Sequence, residues 1–213
     1  MYKIVVLISG SGSNLQAIID NIQAGNIKAE ISAVISNRAD AFGLERAEKA
    51  GIDHHVLDHK IFATRESFDD SLAQVIDSYE PDLIVLAGFM RILSDQFVNH
   101  FQGKLINIHP SLLPKYKGLD THQRALDNGD NEHGASVHFV IPELDAGTVI
   151  IQGVVPIKDN DTVEQLQQRV HKIEHQIYPQ AVKYLAEEGL ALKANGLFYN
   201  GNLLSEPFKE HLK

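Results

Sequence analysis

Along this chain, short continuous apolar runs alternate with stretches of helical period. Ile4–Ile8 is apolar throughout and is followed at once by Ser9-Gly10-Ser11-Gly12-Ser13-Asn14. Behind that turn, Leu15, Ile18, Ile19 and Ile22 fall on one face of a helix. Ile31–Ile35 supplies a second strand, Phe42–Ala50 a short helix, and Ser67–Ser78 a better one with Phe68, Leu72, Val75 and Ile76 on its apolar side. Pro81-Asp82 then introduces a further strand, Leu83–Leu86. Strands that are apolar throughout are buried on both faces. The alternation therefore predicts an α/β fold, Rossmann-like, with a mostly parallel twisted sheet and helices on both faces.

Beyond Lys104 the pattern changes. Leu105–Ile108 reads as a strand stopped by Pro110, and Thr121–Leu126 as a short helix closing near Asn128-Gly129. Ser136–Ile141 and Thr148–Pro156 read as two strands separated by a turn that holds Pro142, Asp145 and Gly147. Thr162–Leu185 has the pattern of a long amphipathic helix, predicted to be interrupted near Pro179. In the carboxyl tail, Tyr199-Asn200-Gly201-Asn202 is a hairpin turn. No repeat, low-complexity tract or linker divides the chain, so residues 1–213 are expected to form a single domain.

Composition narrows the classes of function. There is no cysteine, which excludes disulfides, thiolate metal sites and a cysteine nucleophile, and fits a reducing cytoplasm. The formal net charge is −9 and no dense Lys/Arg stripe is present, so nucleic acid is not an expected partner. The apolar run at the amino terminus is too short for a signal peptide or a membrane span. A small molecule is the expected partner, and any anion must be held by local geometry.

Five segments carry candidate chemistry. Ser9 to Asn14 places small residues at the amino end of a helix, where backbone N–H groups and the helix dipole favour phosphate. It is a poor dinucleotide fingerprint, because Leu15 stands at the third glycine position, and a ligand-free tight turn is the alternative. Asn107 and His109 lie two apart in a strand that Pro110 ends, so they face one side at its carboxyl end, where open α/β sheets bind ligands. They could stabilise a tetrahedral intermediate and manage its protons, although a buried histidine is often structural. Glu143-Leu144-Asp145-Ala146-Gly147 is ordinary turn chemistry unless the fold brings Asp145 to His109, where a carboxylate would raise the histidine pKa. His171-Lys172-Ile173-Glu174-His175 matches a zinc pattern, but no third ligand or apolar enclosure is evident, and a solvated helix face is expected instead of a metal. Ala87-Gly88-Phe89-Met90-Arg91-Ile92-Leu93 is an apolar loop with one arginine, suited to a flat acidic ligand or to ordinary packing.

Four of these motifs, Ser9-Gly10-Ser11-Gly12-Ser13-Asn14-Leu15-Gln16, Gly88-Phe89-Met90-Arg91-Ile92-Leu93, Asn107-Ile108-His109-Pro110-Ser111-Leu112-Leu113-Pro114 and Glu143-Leu144-Asp145-Ala146-Gly147, follow one another in order. From Val5 to about Pro179 the chain resembles the phosphoribosylglycinamide formyltransferases, folate-dependent enzymes of purine synthesis. The resemblance implies the formyltransferase fold, with a phosphate and substrate half over about 1–100, a catalytic and folate half over about 101–190, and a hairpin tail. It implies that Asn107, His109 and Asp145 are catalytic, and that Gly12, Ser13, Asn14 and Glu174 bind the ribonucleotide. Arg65, Met90, Arg91, Ile92, Leu93, Asn107, Ile141, Leu144 and Asp145 would meet the folate. The implied substrates are glycinamide ribonucleotide and 10-formyltetrahydrofolate, with no metal, no nucleic acid and no membrane, in a cytoplasmic monomer or homodimer. Methionyl-tRNA formyltransferases and formyltetrahydrofolate deformylases share part of the motif set, and a non-catalytic nucleotide-binding module would keep only the loop and sheet. Where relatives often read Pro-Gly after the second proline, this chain has Lys117-Gly118, a loop variation expected to leave the catalytic residues intact.

Overall fold

In the computed structural model, which describes residues 1–212, the first apolar run becomes β1 (Tyr2–Ile8), with Ile4 to Ile8 fully buried. There follow α1 (Ser13–Gln23), β2 (Ala29–Ser36), α2 (Gly43–Lys49), β3 (His54–Val56), α3 (Arg65–Asp77), β4 (Leu83–Leu86), α4 (Asp95–His100) and β5 (Leu105–His109). Strands β5-β4-β1-β2-β3 lie in that order, each parallel to its neighbour. Burial of β1 and β4 on both faces is what a helix-covered parallel sheet requires. The class is α/β, with mostly parallel strands and helices on both sides.

Two units divide the chain, one up to Asn107 and one from Ile108 on, and β5 runs across the division. The second unit contains α5 (Thr121–Asp127), β6 (Glu132–Phe139), β7 (Val149–Pro156), α6 (Val163–Ala186), β8 (Leu190–Lys193), β9 (Gly196–Tyr199), β10 (Asn202–Leu203) and β11 (Phe208–His211). β6 and β7 pair antiparallel, and β11 adds to the far side of β7 in parallel. Helix α6 lies so close on β7 that a Cβ at Gly153 would come within 2.4 Å of Ile173. The tail hairpin forms as expected: β9 and β10 pair antiparallel, and Asn200 and Gly201 both have positive φ.

Several boundaries differ from the sequence reading. Helix α6 is not interrupted, and Pro179 sits buried inside its 24 residues. The proline removes one backbone donor, but Ile173, Ile177, Tyr178 and Val182 are all fully buried on the same helix, and that burial holds it together. Its start is set by a capping box between Thr162 and Gln165. Strand β6 begins at Glu132 rather than Ser136 and ends at Phe139, because Glu132 to Ala135 pair with β7 despite their polar look. The strand β3, the helix α4 and the strand β11 carry too little apolar pattern to be read from sequence. Among the described residues no helix is long and apolar enough to cross a membrane.

Candidate active site

In the first unit the Ser-Gly loop leaves β1 and enters α1 at Gly12, whose φ of 68° is left-handed. A Cβ at Gly12 would lie 2.7 Å from the Gly43 Cα, so backbone meets backbone there and only glycine fits. Gly43 N–H donates to the Gly10 carbonyl at 3.0 Å, holding the loop against the start of α2. The cap residue of α1 has no side chain and no acid occupies the first turn, which leaves the helix dipole open to an anion. Ser13 and Asn14 form that first turn. Arg46 of α2 donates to the Ser11 carbonyl at 2.8 Å and to Gln16 Oε1 at 3.0 Å, so a cation borders the loop. Sequence reasoning missed Arg46, since nothing in its helical position marks it as facing a loop thirty residues earlier.

Buried Ser9 ties three strand ends together. Its hydroxyl donates to Asn37 Oδ1 at 2.6 Å and accepts from Met90 N–H at 2.8 Å. The loop after β4 is thereby fixed at the carboxyl edge of the parallel strands. Met90 and Ile92 project from it, 80% and 66% exposed, while Leu93 is buried. The Arg91 guanidinium stacks 4.6 Å over the Phe68 ring, and its buried Nε has no hydrogen-bond acceptor. A buried donor of that kind is costly unless a ligand supplies an acceptor. Arg65, at the start of α3, is exposed beside Glu66 at 3.4 Å.

In the second unit the fold brings His109 and Asp145 together. His109 Nδ1 lies 3.3 Å from Asp145 Oδ2, and both side chains are more than nine-tenths buried. The other ring nitrogen, Nε2, is 2.8 Å from the Tyr116 carbonyl. Asp145 Oδ2 also accepts the Gly118 N–H at 2.9 Å. Asp145 has a φ of 49° in a turn that closes at Gly147, where a Cβ would meet the Phe139 carbonyl at 1.8 Å. Ile141 and Leu144, flanking this turn, are large apolar residues left exposed. Asn107 shares β5 with His109, two residues before it, and ends the first unit.

A polar scaffold supports the loop after His109. Ser136 Oγ donates to the Ser111 carbonyl at 2.7 Å and accepts from Leu113 N–H at 3.0 Å and from Gln152 at 2.9 Å. Gln152 also donates to the Leu113 carbonyl at 2.9 Å, beside the cis Leu113–Pro114 peptide. Neither residue was singled out from sequence. For Gln152 the signal was there, a single polar residue in the otherwise apolar strand β7; Ser136 lies among the other polar residues of β6 and carried none.

Neighbouring histidines stay neutral. His138 Nε2 is 3.8 Å from Asp145 Oδ1, but burial lowers its pKa. His122 and His133, hydrogen-bonded to each other at 3.1 Å, are pushed by burial down to about 4. His109 is thus the histidine paired closely with a carboxylate in this cluster. Glu174 is buried on α6 and His171 is exposed on it. Among the described residues no three His, Cys, Asp or Glu side chains are grouped to hold a metal ion.

Comparison with known proteins gives this geometry a family. The formyl transferase family model matches residues 2–182. A phosphoribosylglycinamide formyltransferase of Escherichia coli (strain K12) is 55% identical over 202 residues, covering 95% of each chain. One of Haemophilus influenzae is 50% identical, with 96% of each chain covered. Among solved structures, a phosphoribosylglycinamide formyltransferase from Coxiella burnetii superposes with a TM-score of 0.93 at 52% identity over 98% of both chains. The chain belongs to the formyl transferase family.

Proposed function

We propose that this enzyme transfers the formyl group of 10-formyltetrahydrofolate to the amine of 5-phosphoribosylglycinamide. The products are formylglycinamide ribonucleotide and tetrahydrofolate. The observation that carries the reading is the buried His109–Asp145 pair, at 3.3 Å, in a chain 55% identical to a phosphoribosylglycinamide formyltransferase over nearly its whole length.

The chemistry asks three things of the protein. As the substrate amine attacks the formyl carbon, a carbon–nitrogen bond forms and the carbonyl oxygen becomes negative. Asn107, a neutral donor two residues from His109, is assigned to that oxygen. When the intermediate collapses, the bond from the formyl carbon to the folate nitrogen breaks, and that nitrogen gains the proton the amine loses. His109 carries the proton, and Asp145 compensates the charge on its ring while it does so.

Binding is divided among the remaining residues. The substrate phosphate is assigned to Gly12, Ser13 and Asn14, a role supported by the open helix end and by Arg46 beside the loop. Folate is assigned to Met90, Arg91, Ile92 and Leu93 together with Ile141, Leu144 and Asp145. In support, Met90, Ile92, Ile141 and Leu144 are large apolar residues left exposed, and Arg91 holds a donor without an acceptor. Arg65 is assigned a further folate contact and Glu174 the glycinamide. No step requires a metal or nucleic acid, and the absence of cysteine accords with a cytoplasmic setting for a monomer or homodimer.

The test is to follow tetrahydrofolate release from 10-formyltetrahydrofolate with and without glycinamide ribonucleotide, in the presence of a chelator. Release that needs the ribonucleotide and survives the chelator is expected. Release without it would assign the hydrolytic reaction of a deformylase, and no release in either case would sink the reading.

A further inference from the structure

A single four-residue turn touches both members of the acid–base pair through its backbone. The Tyr116 carbonyl faces His109 Nε2 at 2.8 Å, and two residues later the Gly118 N–H donates to Asp145 Oδ2 at 2.9 Å. The Tyr116 carbonyl and the Asp145 carboxylate both only accept, so each ring nitrogen faces an acceptor and the ring is held in one orientation between them. Such a turn must be held in place, because two of its four residues are left-handed, Tyr116 with φ 55° and Gly118 with φ 79°. For tyrosine that conformation is strained and persists only when its surroundings enforce it.

Those surroundings lie outside the residues assigned to substrate or chemistry. The Tyr116 hydroxyl donates to Asp130 Oδ2 at 2.8 Å, and Lys115 Nζ pairs with the same oxygen at 3.0 Å. Arg124 of α5 lies 5.1 Å over the Tyr116 ring and donates to the Lys117 carbonyl at 2.7 Å and the Leu119 carbonyl at 3.2 Å. Ser111 Oγ donates to the Lys115 carbonyl at 2.6 Å. The turn is fastened at both ends and through its one ring.

We propose that the Lys115–Gly118 turn is a backbone clamp that fixes the ring orientation of His109 and the aim of Asp145, with Tyr116, Arg124 and Asp130 as its positioning residues. The inference rests on reading His109 and Asp145 as the acid–base pair. It requires no substrate contact from the three side chains. They act only by keeping one carbonyl and one N–H where the pair needs them.

The experiment uses the full chain labelled with 15N, and follows the His109 ring nitrogens against pH in wild type, Tyr116→Phe, Asp130→Asn and Arg124→Gln. In wild type the two ring nitrogens are expected to give the single sharp set of signals of a ring held in one orientation. In the variants the signals should broaden or split as the ring is released from that orientation. The pH–rate profile should move with them, and kcat should fall about ten- to a hundredfold with little change in KM. Asp130→Glu should restore much of the loss. Folded variants with unmoved His109 signals and a wild-type pH–rate profile would overturn the clamp, and Asp130→Asn and Arg124→Gln decide the matter if Tyr116→Phe does not fold. The ring signals need no turnover, so a failure of the clamp is distinguishable from a failure of the assigned activity.

Discussion

His109 has both ring nitrogens engaged by its own chain, one by a carboxylate and one by a carbonyl. A histidine so placed is oriented before any substrate arrives, which is the condition for acid–base catalysis at a defined atom. Replacing it by alanine should lower kcat about 10²- to 10⁴-fold, and Asn107→Ala about 10²- to 10³-fold. Thermal unfolding of Asn107→Ala should remain close to wild type, whereas His109→Ala leaves the buried Asp145 carboxylate without its partner and should unfold at a lower temperature. Activity near wild type in either would remove that residue from the mechanism. Gly147→Ala should act on stability instead, because its Cβ would sit 1.8 Å from the Phe139 carbonyl and the turn would have to move. A loss of about 1–3 kcal/mol in urea denaturation is expected, and an unchanged midpoint would contradict the close approach. At this scale the sequence exposed the residues whose chemistry is unusual for their place: a polar pair closing a strand, and an acid in a glycine turn. It hid Arg46, Ser136 and Gln152, whose meaning comes only from what lies across from them.

At the scale of elements, legibility followed the strength of the apolar pattern. β1 and β4 are buried on both faces and read as unbroken apolar runs. β3, with two histidines in three residues, and β11, with one apolar residue in four, are strands because a neighbour offers them an edge. Local pattern carries no record of that edge. Pro179 shows the reverse case, a strong local signal overridden by burial along α6. Helix α5 and strand β6 also share a titrating contact. His122 and His133 have folded pKa values of about 4 against an ordinary 6.5, with burial the main cause. Between those pH values the unfolded chain binds more protons than the folded one, so stability is intact above 6.5 and falls as pH drops toward 4. Urea midpoints measured at pH 7 and pH 5 should fall steeply for wild type and less for the His122→Asn/His133→Asn double variant. Equal falls would contradict the assignment of neutral, buried histidines.

For the whole molecule, the alternation of buried strands and helices was enough to give the α/β class, because it follows from burial alone. Function needed more. The net charge of −9 cannot attract a phosphorylated ribonucleotide through its overall field, so recognition must be local. The open end of α1 and the guanidinium of Arg46 supply local features of that kind. No single motif defines the enzyme. The phosphate loop, the exposed apolar residues and the buried pair come from distant stretches of chain, and the reaction is assigned from all of them.

The most direct test of that assignment is to supply 10-formyltetrahydrofolate carrying 13C in its formyl carbon, together with glycinamide ribonucleotide, and to find where the label ends. The account predicts one labelled formyl group per tetrahydrofolate released, bonded to the amine nitrogen of the ribonucleotide as a formamide. Label recovered as free formate, with the ribonucleotide unchanged, would contradict it.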